Sequence, residues 1–193
     1  MGNKSSKKLS KDDIRFLVEN TNFSKNEIKQ WYVGFMRDCP DGQLTKKKFV
    51  EVYSEIFPSG DPNKFCNHVF RSFDHDGSGK IDFKEFLMAI NITSAGNARQ
   101  KLDWAFKMYD IDGNGTIDRS EMMEIIGSIY HMLSEGQQTE ELDTPEARTE
   151  KIFEKMDVNK DNVLTKDEFI NGCLNDECLY QMLTAEQNWQ ENE

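Results

Sequence analysis

Oxygen-bearing side chains recur at one fixed spacing in three stretches, DHDGSGKIDFKE, DIDGNGTIDRSE and DVNKDNVLTKDE, which begin at Asp74, Asp110 and Asp157. A hard divalent cation such as calcium takes roughly six to eight oxygens at once. A twelve-residue loop offers them from positions 1, 3, 5, 7, 9 and 12, with position 7 acting through its backbone carbonyl. In the first stretch these positions are Asp74, Asp76, Ser78, Lys80, Asp82 and Glu85, with Gly79 at the sharp turn. In the second they are Asp110, Asp112, Asn114, Thr116, Asp118 and Glu121 with Gly115 at the turn, which meets the full D-x-[DN]-x-[DN]-G-x5-E pattern. The third stretch offers Asp157, Asn159, Asp161, Val163, Thr165 and Glu168, but its turn position is Asn162, which enters the left-handed region less readily than glycine. Weaker ion binding is expected there. One such match reads equally well as a solvated acidic turn. Three in one frame, each with an apolar residue at position 8 (Ile81, Ile117 and Leu164), favour ion binding, because a solvated turn has no use for that residue.

Projecting the repeat backwards reaches RDCPDGQLTKKK, which begins at Arg37. Arg37, Cys39 and Lys48 fill positions 1, 3 and 12, so two cations and a thiol stand where hard oxygens belong, and calcium is excluded. Gly42 remains at the turn and Leu44 at position 8. The loop therefore keeps what it needs to pair with its neighbour through a short strand, and a structural role is expected.

The loops must be held by helices. Apolar spacing predicts them in NKFCNHVFRSF and FKEFLMAINI around the first acidic loop, and in RQKLDWAFKMY and RSEMMEIIGSIYHML around the second, giving helix, loop, helix four times. Ser10 with Asp13 and Ser24 with Glu27 are spaced as capping boxes, and Thr144 precedes Pro145 as a helix start. TSAGN, residues 93–97, is read as a linker between halves, and SEGQQTEELDT as an acidic, mobile surface loop.

Thirty-five acidic against 24 basic residues leave a formal charge of -11, which argues against nucleic acid as a partner. The four cysteines, Cys39, Cys66, Cys173 and Cys178, form no CxxC pair and read as free thiols of a reducing compartment. No apolar run reaches the roughly 18 residues of a membrane span, and no apolar signal region opens the chain, so a soluble intracellular protein is expected. Catalytic motifs are lacking. GSGK at Gly77 to Lys80 has Asp74 and Ile81 where a phosphate-binding loop needs Gly and Ser or Thr, and His68, His75 and His131 show no HExxH spacing. A non-enzyme is expected.

Trp31, Phe35, Phe49, Val52, Tyr53, Phe57, Phe86, Leu87 and Ile90 fall at helical spacing across the first two units, and spacing alone favours a core. Met108, Met122, Met123, Met132 and Met156 are expected inside the second half. The N-terminal MGNKSS fits M-G-x-x-x-[ST], which makes Gly2 a candidate myristoyl acceptor, with Lys4, Lys7 and Lys8 beside it to meet an anionic surface.

The disabled first loop in WYVGFMRDCPDG, the stretches GDPNKFCNHVFRSFD and LMAINITSAGNARQKLDWAFKMYD, and the N-terminal MGNKSSK together resemble the neuronal calcium sensor family, the group of recoverin, visinin, neurocalcin, hippocalcin and frequenin. The resemblance covers nearly the whole chain. It implies an all-α fold of four EF-hands in two paired lobes with short β bridges between loops. The expected boundaries are a lipidated segment at 1–9, a first lobe at 10–92, a linker at 93–97, a second lobe at 98–175, and a C-terminal helix and tail at 176–193. It implies up to three calcium ions and a covalent N-myristoyl group, with a calcium-myristoyl switch in which calcium releases the lipid from an internal pocket. It further implies calcium-dependent regulation of a membrane-associated kinase, cyclase, channel or receptor, with the apolar stripe lining a groove that opens to take an amphipathic target helix. The expected setting is cytoplasmic with peripheral membrane association, as a monomer or weak dimer. Lys48 departs from the acidic residue common at that place in the family. A passive calcium buffer and a guanylate-cyclase-activating sensor are the alternative readings; TSAGN and the long EGQQTEELDT connector favour the recoverin, visinin and hippocalcin side over the latter.

Overall fold

A computed structural model describes residues 9–58, 60–133 and 144–184. In chain order they form α1 (Lys11–Asn20), α2 (Lys25–Asp38), β1 (Gln43–Thr45), α3 (Lys46–Ile56), α4 (Asn63–Phe73), β2 (Lys80–Asp82), α5 (Phe83–Ala95), α6 (Ala98–Tyr109), β3 (Thr116–Asp118), α7 (Arg119–Leu133), α8 (Pro145–Met156), β4 (Val163–Thr165), α9 (Lys166–Leu174) and α10 (Glu177–Thr184). The fold is all-α apart from two small antiparallel sheets, as expected.

Helix starts follow local chemistry. Ser10 and Ser24 accept from the backbone N–H of Asp13 and Glu27, whose carboxylates accept in return from the cap backbone, so each pair satisfies two N–H groups that lack a partner within the helix. Thr144 caps α8 with Pro145 at the first helical position. Acidic-loop ligands serve as caps too: Asp82 with Glu85 and Thr165 with Glu168 form the same boxes at α5 and α9.

Position 8 joins the loops in pairs. Leu44 lies opposite Ile81 in the β1–β2 pair, and Ile117 opposite Leu164 in the β3–β4 pair; all four are buried. The disabled loop is thus paired with the first acidic loop. Phe35, Phe49, Phe70 and Phe83 fill the first lobe, while Phe106, Tyr109, Phe153 and Phe169 fill the second.

The lobes are in direct contact. α4 packs on α6 and α7, Phe73 meets Trp104 at a ring distance of 5.9 Å, and the Asp61 N–H donates to the His131 carbonyl at 3.0 Å. At Gly60 an added Cβ would lie 1.8 Å from the Met132 carbonyl oxygen, so only glycine allows the α3–α4 turn to approach the end of α7.

Two expectations are corrected here. The polar stretch at 93–97 is not all linker: α5 runs to Ala95, leaving Gly96 and Asn97 before α6. The Thr93 and Ser94 hydroxyls donate back to the Ala89 and Ile90 carbonyls, a local option that lets such residues stay helical. Met123 is only half-buried, whereas Met108, Met122, Met132 and Met156 are buried. The acidic connector expected to be mobile lies outside the described residues except for Thr144, as do Gly2 and the N-terminal lysines.

Candidate calcium sites and an adjoining apolar groove

Counting the disabled loop at Arg37 as loop 1, the acidic loops that begin at Asp74, Asp110 and Asp157 are loops 2, 3 and 4, and loops 2 and 3 fold their carboxylates inward in the same way. In loop 2 the Ser78 N–H donates to Asp74 Oδ1 and Asp76 Oδ1 at 2.9 Å each, and the Gly79 N–H to Asp74 Oδ2 at 2.8 Å. Glu85 Oε1 accepts from His75 N–H and Asp76 N–H, while its Oε2 accepts from Asp82 N–H. Loop 3 repeats this: Asn114 N–H donates to Asp110 and Asp112, Gly115 N–H to Asp110, and Glu121 accepts from Ile111, Asp112 and Asp118. As a result Asp74, Asp76 and Glu85 each bring one carboxylate oxygen within 4.8 Å of the other two, and Asp110, Asp112 and Glu121 do the same. Three like charges that close repel unless a cation lies among them. An all-oxygen set of this kind fits calcium rather than a softer metal.

Lys80 and Thr116 begin strands β2 and β3, and Asp82 and Asp118 end them, so the four ligand positions on these strands are fixed by the pairing. The left-handed turns are glycines: Gly77, Gly79, Gly113 and Gly115 all have positive φ.

Loop 4 departs from this plan. The Asp161 N–H donates to Asp157 and Asn159, and Asn162 N–H to Asp157, but among the described residues Asp157, Asp161 and Glu168 do not draw into such a cluster. Asn162 sits at φ 69°, as its place in the loop requires, and Lys160 at φ 58°. Sequence reasoning missed Lys160, although the signal was present, since loops 2 and 3 carry Gly77 and Gly113 at that position. A left-handed conformation costs an ordinary residue about 1–2 kcal/mol, and glycine returns roughly 0.5–1 kcal/mol of this through its looser unfolded chain. Lys160→Gly is therefore expected to raise the urea stability of the second lobe by about 0.5–1 kcal/mol. A decrease would show that the lysine is not strained.

In loop 1 the foreign residues turn to other partners. Arg37 Nε lies 3.1 Å from Asp38 Oδ1 and Lys48 Nζ 3.5 Å from Glu51 Oε2. Cys39 is buried, and loss of solvation pushes its thiol pKa up. Burial pushes the Cys66 and Cys173 thiols up to about 12, so they are inert at neutral pH. The side chain of Cys178 lies outside the description.

Beside loop 1 opens an apolar cavity of ≈ 500 Å³. Eight of the nine stripe residues line it: Trp31, Phe35, Phe49, Val52, Tyr53, Phe57, Phe86 and Ile90. Leu87 does not; it is fully buried and belongs to the core. Trp31 and Val52 are 39% and 43% exposed at the mouth, whereas Phe35 and Phe49 are each 6% exposed at its floor. Sequence reasoning missed the wall that α4 supplies through Phe65, Val69 and Phe73, although their four-residue spacing marks one helical face. Trp104, Met108 and Met132 extend the cavity into the second lobe.

Among the described residues, no helix is long and apolar enough to cross a membrane. Residues 99–174 match the EF-hand domain pair family and residues 65–92 the EF hand domain family. The chain is 50% identical to neuronal calcium sensor 1 of Aplysia californica over 185 residues, which spans 95% of this chain and 96% of that protein. It is 42% identical to recoverin of Homo sapiens over 189 residues, 96% of this chain and 94% of the relative. Visinin of Gallus gallus is 34% identical over 189 residues, 96% and 98% of the two chains.

Proposed function

Because the chain belongs to the neuronal calcium sensor family of EF-hand proteins, we propose that it senses calcium through its second, third and fourth hands and regulates a membrane-associated target through its apolar groove. The observation that carries this reading is the groove's construction. Most of its lining comes from α2, α3, α4 and α5, the helices that lead into and out of loops 1 and 2.

Calcium supplies the positive charge that lets the loop carboxylates converge. Asp74, Asp76 and Glu85 would hold it in hand 2, and Asp110, Asp112 and Glu121 in hand 3, each set joined by the remaining ligand positions of its loop. With Asp82 and Asp118 counted, hands 2 and 3 each offer four carboxylates and hand 4 only three, Asp157, Asp161 and Glu168, so hand 4 is the weakest site; hand 3, which alone meets the full loop pattern, is the tightest.

Glu85 stands in the first turn of α5 while Asp74 caps the end of α4, so a ligand shift at Glu85 changes the angle between those helices. Loop 1 follows through the β1–β2 pair, with no ion of its own to resist. This gives the disabled hand its use: α2 and α3 shape the groove but move with hand 2. The occupant is an amphipathic helix of a target protein, docking through apolar anchors. At the N-terminus, a myristoyl chain on Gly2 joins Lys4, Lys7 and Lys8 in holding the protein to an anionic leaflet.

The exposures separate binding from folding. Trp31→Ala removes a rim side chain that packs on Phe23 and Phe86 and is expected to weaken capture of an amphipathic helical peptide in calcium by about 2 kcal/mol, roughly 30-fold, with a smaller loss of stability than at the floor. Phe49→Ala is expected to cost about 3–5 kcal/mol of stability, since its ring is buried against Phe70 and Phe73. Peptide titrations and urea melts of both proteins decide this; a Trp31→Ala protein that captures the peptide as well as the parent would remove the groove from the mechanism.

A further inference from the structure

Arg71 lies on α4, one turn before Asp74, the first ligand position of loop 2. Its guanidinium reaches into the other lobe. Nη1 donates to the Ile111 carbonyl at 2.7 Å, and Nη2 to the Met108 carbonyl at 2.6 Å. Met108 is in the last turn of α6, where carbonyls have no partner within the helix, and Ile111 is the second residue of loop 3. On its other side Ile111 donates its N–H to Glu121 Oε1 at 2.8 Å. The backbone that opens the third loop is thus clasped between Glu121, its own last ligand, and an arginine borrowed from the second hand. Asp110, Glu121 and Glu124 supply the negative field around the half-buried guanidinium.

We propose that Arg71 is a positioning residue for the third calcium loop and that it couples occupancy of hand 2 to hand 3. The proposal rests on the reading that both hands bind calcium. α4 is the helix that enters loop 2, so any change in its angle to α5 carries Arg71 across the end of α6. The forked geometry suits this task, because a guanidinium holds two carbonyls at a fixed separation, whereas an ammonium is a compact point donor. Coupling of this kind is reciprocal: hand 3 must bias hand 2 by the same factor. A role limited to capping α6 would change stability without making one site depend on the other.

The test is calorimetric titration of the full chain with calcium, in Arg71, Arg71→Met and Arg71→Lys backgrounds, each with and without Glu85→Gln to disable hand 2. The phase due to hand 3 is identified by its loss in Glu121→Gln. With Arg71 in place, Glu85→Gln is expected to remove one ion and to change the hand 3 affinity by roughly fivefold or more. In Arg71→Met the hand 3 affinity is expected to be the same with or without Glu85→Gln. Arg71→Lys retains charge and most of the length, so it tests the fork even where Arg71→Met does not fold, and it too is expected to lose the dependence. The proposal is overturned if Glu85→Gln leaves hand 3 unchanged in the parent, or if either Arg71 variant keeps the dependence. A parent in which Glu85→Gln removes no ion would instead refute calcium binding by hand 2.

Discussion

A Glu121→Gln protein is expected to bind calcium at its third hand on the order of 100-fold more weakly than the parent, with the loop still folded. Removing one unit of charge from beside a doubly charged ion costs about 3 kcal/mol even at the dielectric constant of water. Position 12 is where a loop of this type supplies two oxygens from one carboxylate. Glutamine keeps an oxygen that can accept from Ile111 and Asp112 and loses only the acceptor for the Asp118 N–H, so most of the loss falls on the ion rather than on the fold. Calorimetry should show one tight phase gone. An unchanged isotherm would mean that loop 3 is an acidic turn and not a site.

The other large effect is at the membrane. One myristoyl chain gives an association constant on the order of 10⁴ M⁻¹, and Lys4, Lys7 and Lys8 add about 1 kcal/mol each beside anionic lipid, together on the order of 100-fold. Neither signal alone holds the protein firmly. Lipidated protein is therefore expected to sediment with anionic vesicles at millimolar lipid, more so in calcium than in chelator, and Gly2→Ala is expected to leave most of the protein in the supernatant. A Gly2→Ala protein that sediments as well as the parent would show that the lipid has no part in membrane binding.

Much of this was legible in the residues because calcium loops are local objects. Their ligands, their turn glycines and the position-8 residues that pair them lie within twelve consecutive positions, so Leu44 opposite Ile81 and Ile117 opposite Leu164 follow from counting. What escaped depends on other parts of the chain. Phe86, Leu87 and Ile90 share one apolar helix, but one position along a helix turns the side chain by about 100°, which leaves Phe86 and Ile90 at the cavity and Leu87 in the core. Thr93 and Ser94 read as a break because hydroxyl residues favour turns, and here they return their hydroxyls to the preceding turn of α5. Lys160 escaped because its position supplies no ligand, only a backbone angle. Arg71 escaped because its partners Met108 and Ile111 lie in the other lobe, where no periodicity points to them.

A sensor and a buffer share the same loops and differ in what the rest of the molecule does when the loops fill. The most direct measurement is a calcium titration of the full chain followed by the fluorescence of an apolar dye, with ions counted in parallel. The expected result is a rise in dye binding as hands 2 and 3 fill, an end point of three ions, and a rise much reduced in Glu85→Gln. Three ions bound with no change in dye fluorescence would contradict the sensor reading and make the protein a buffer.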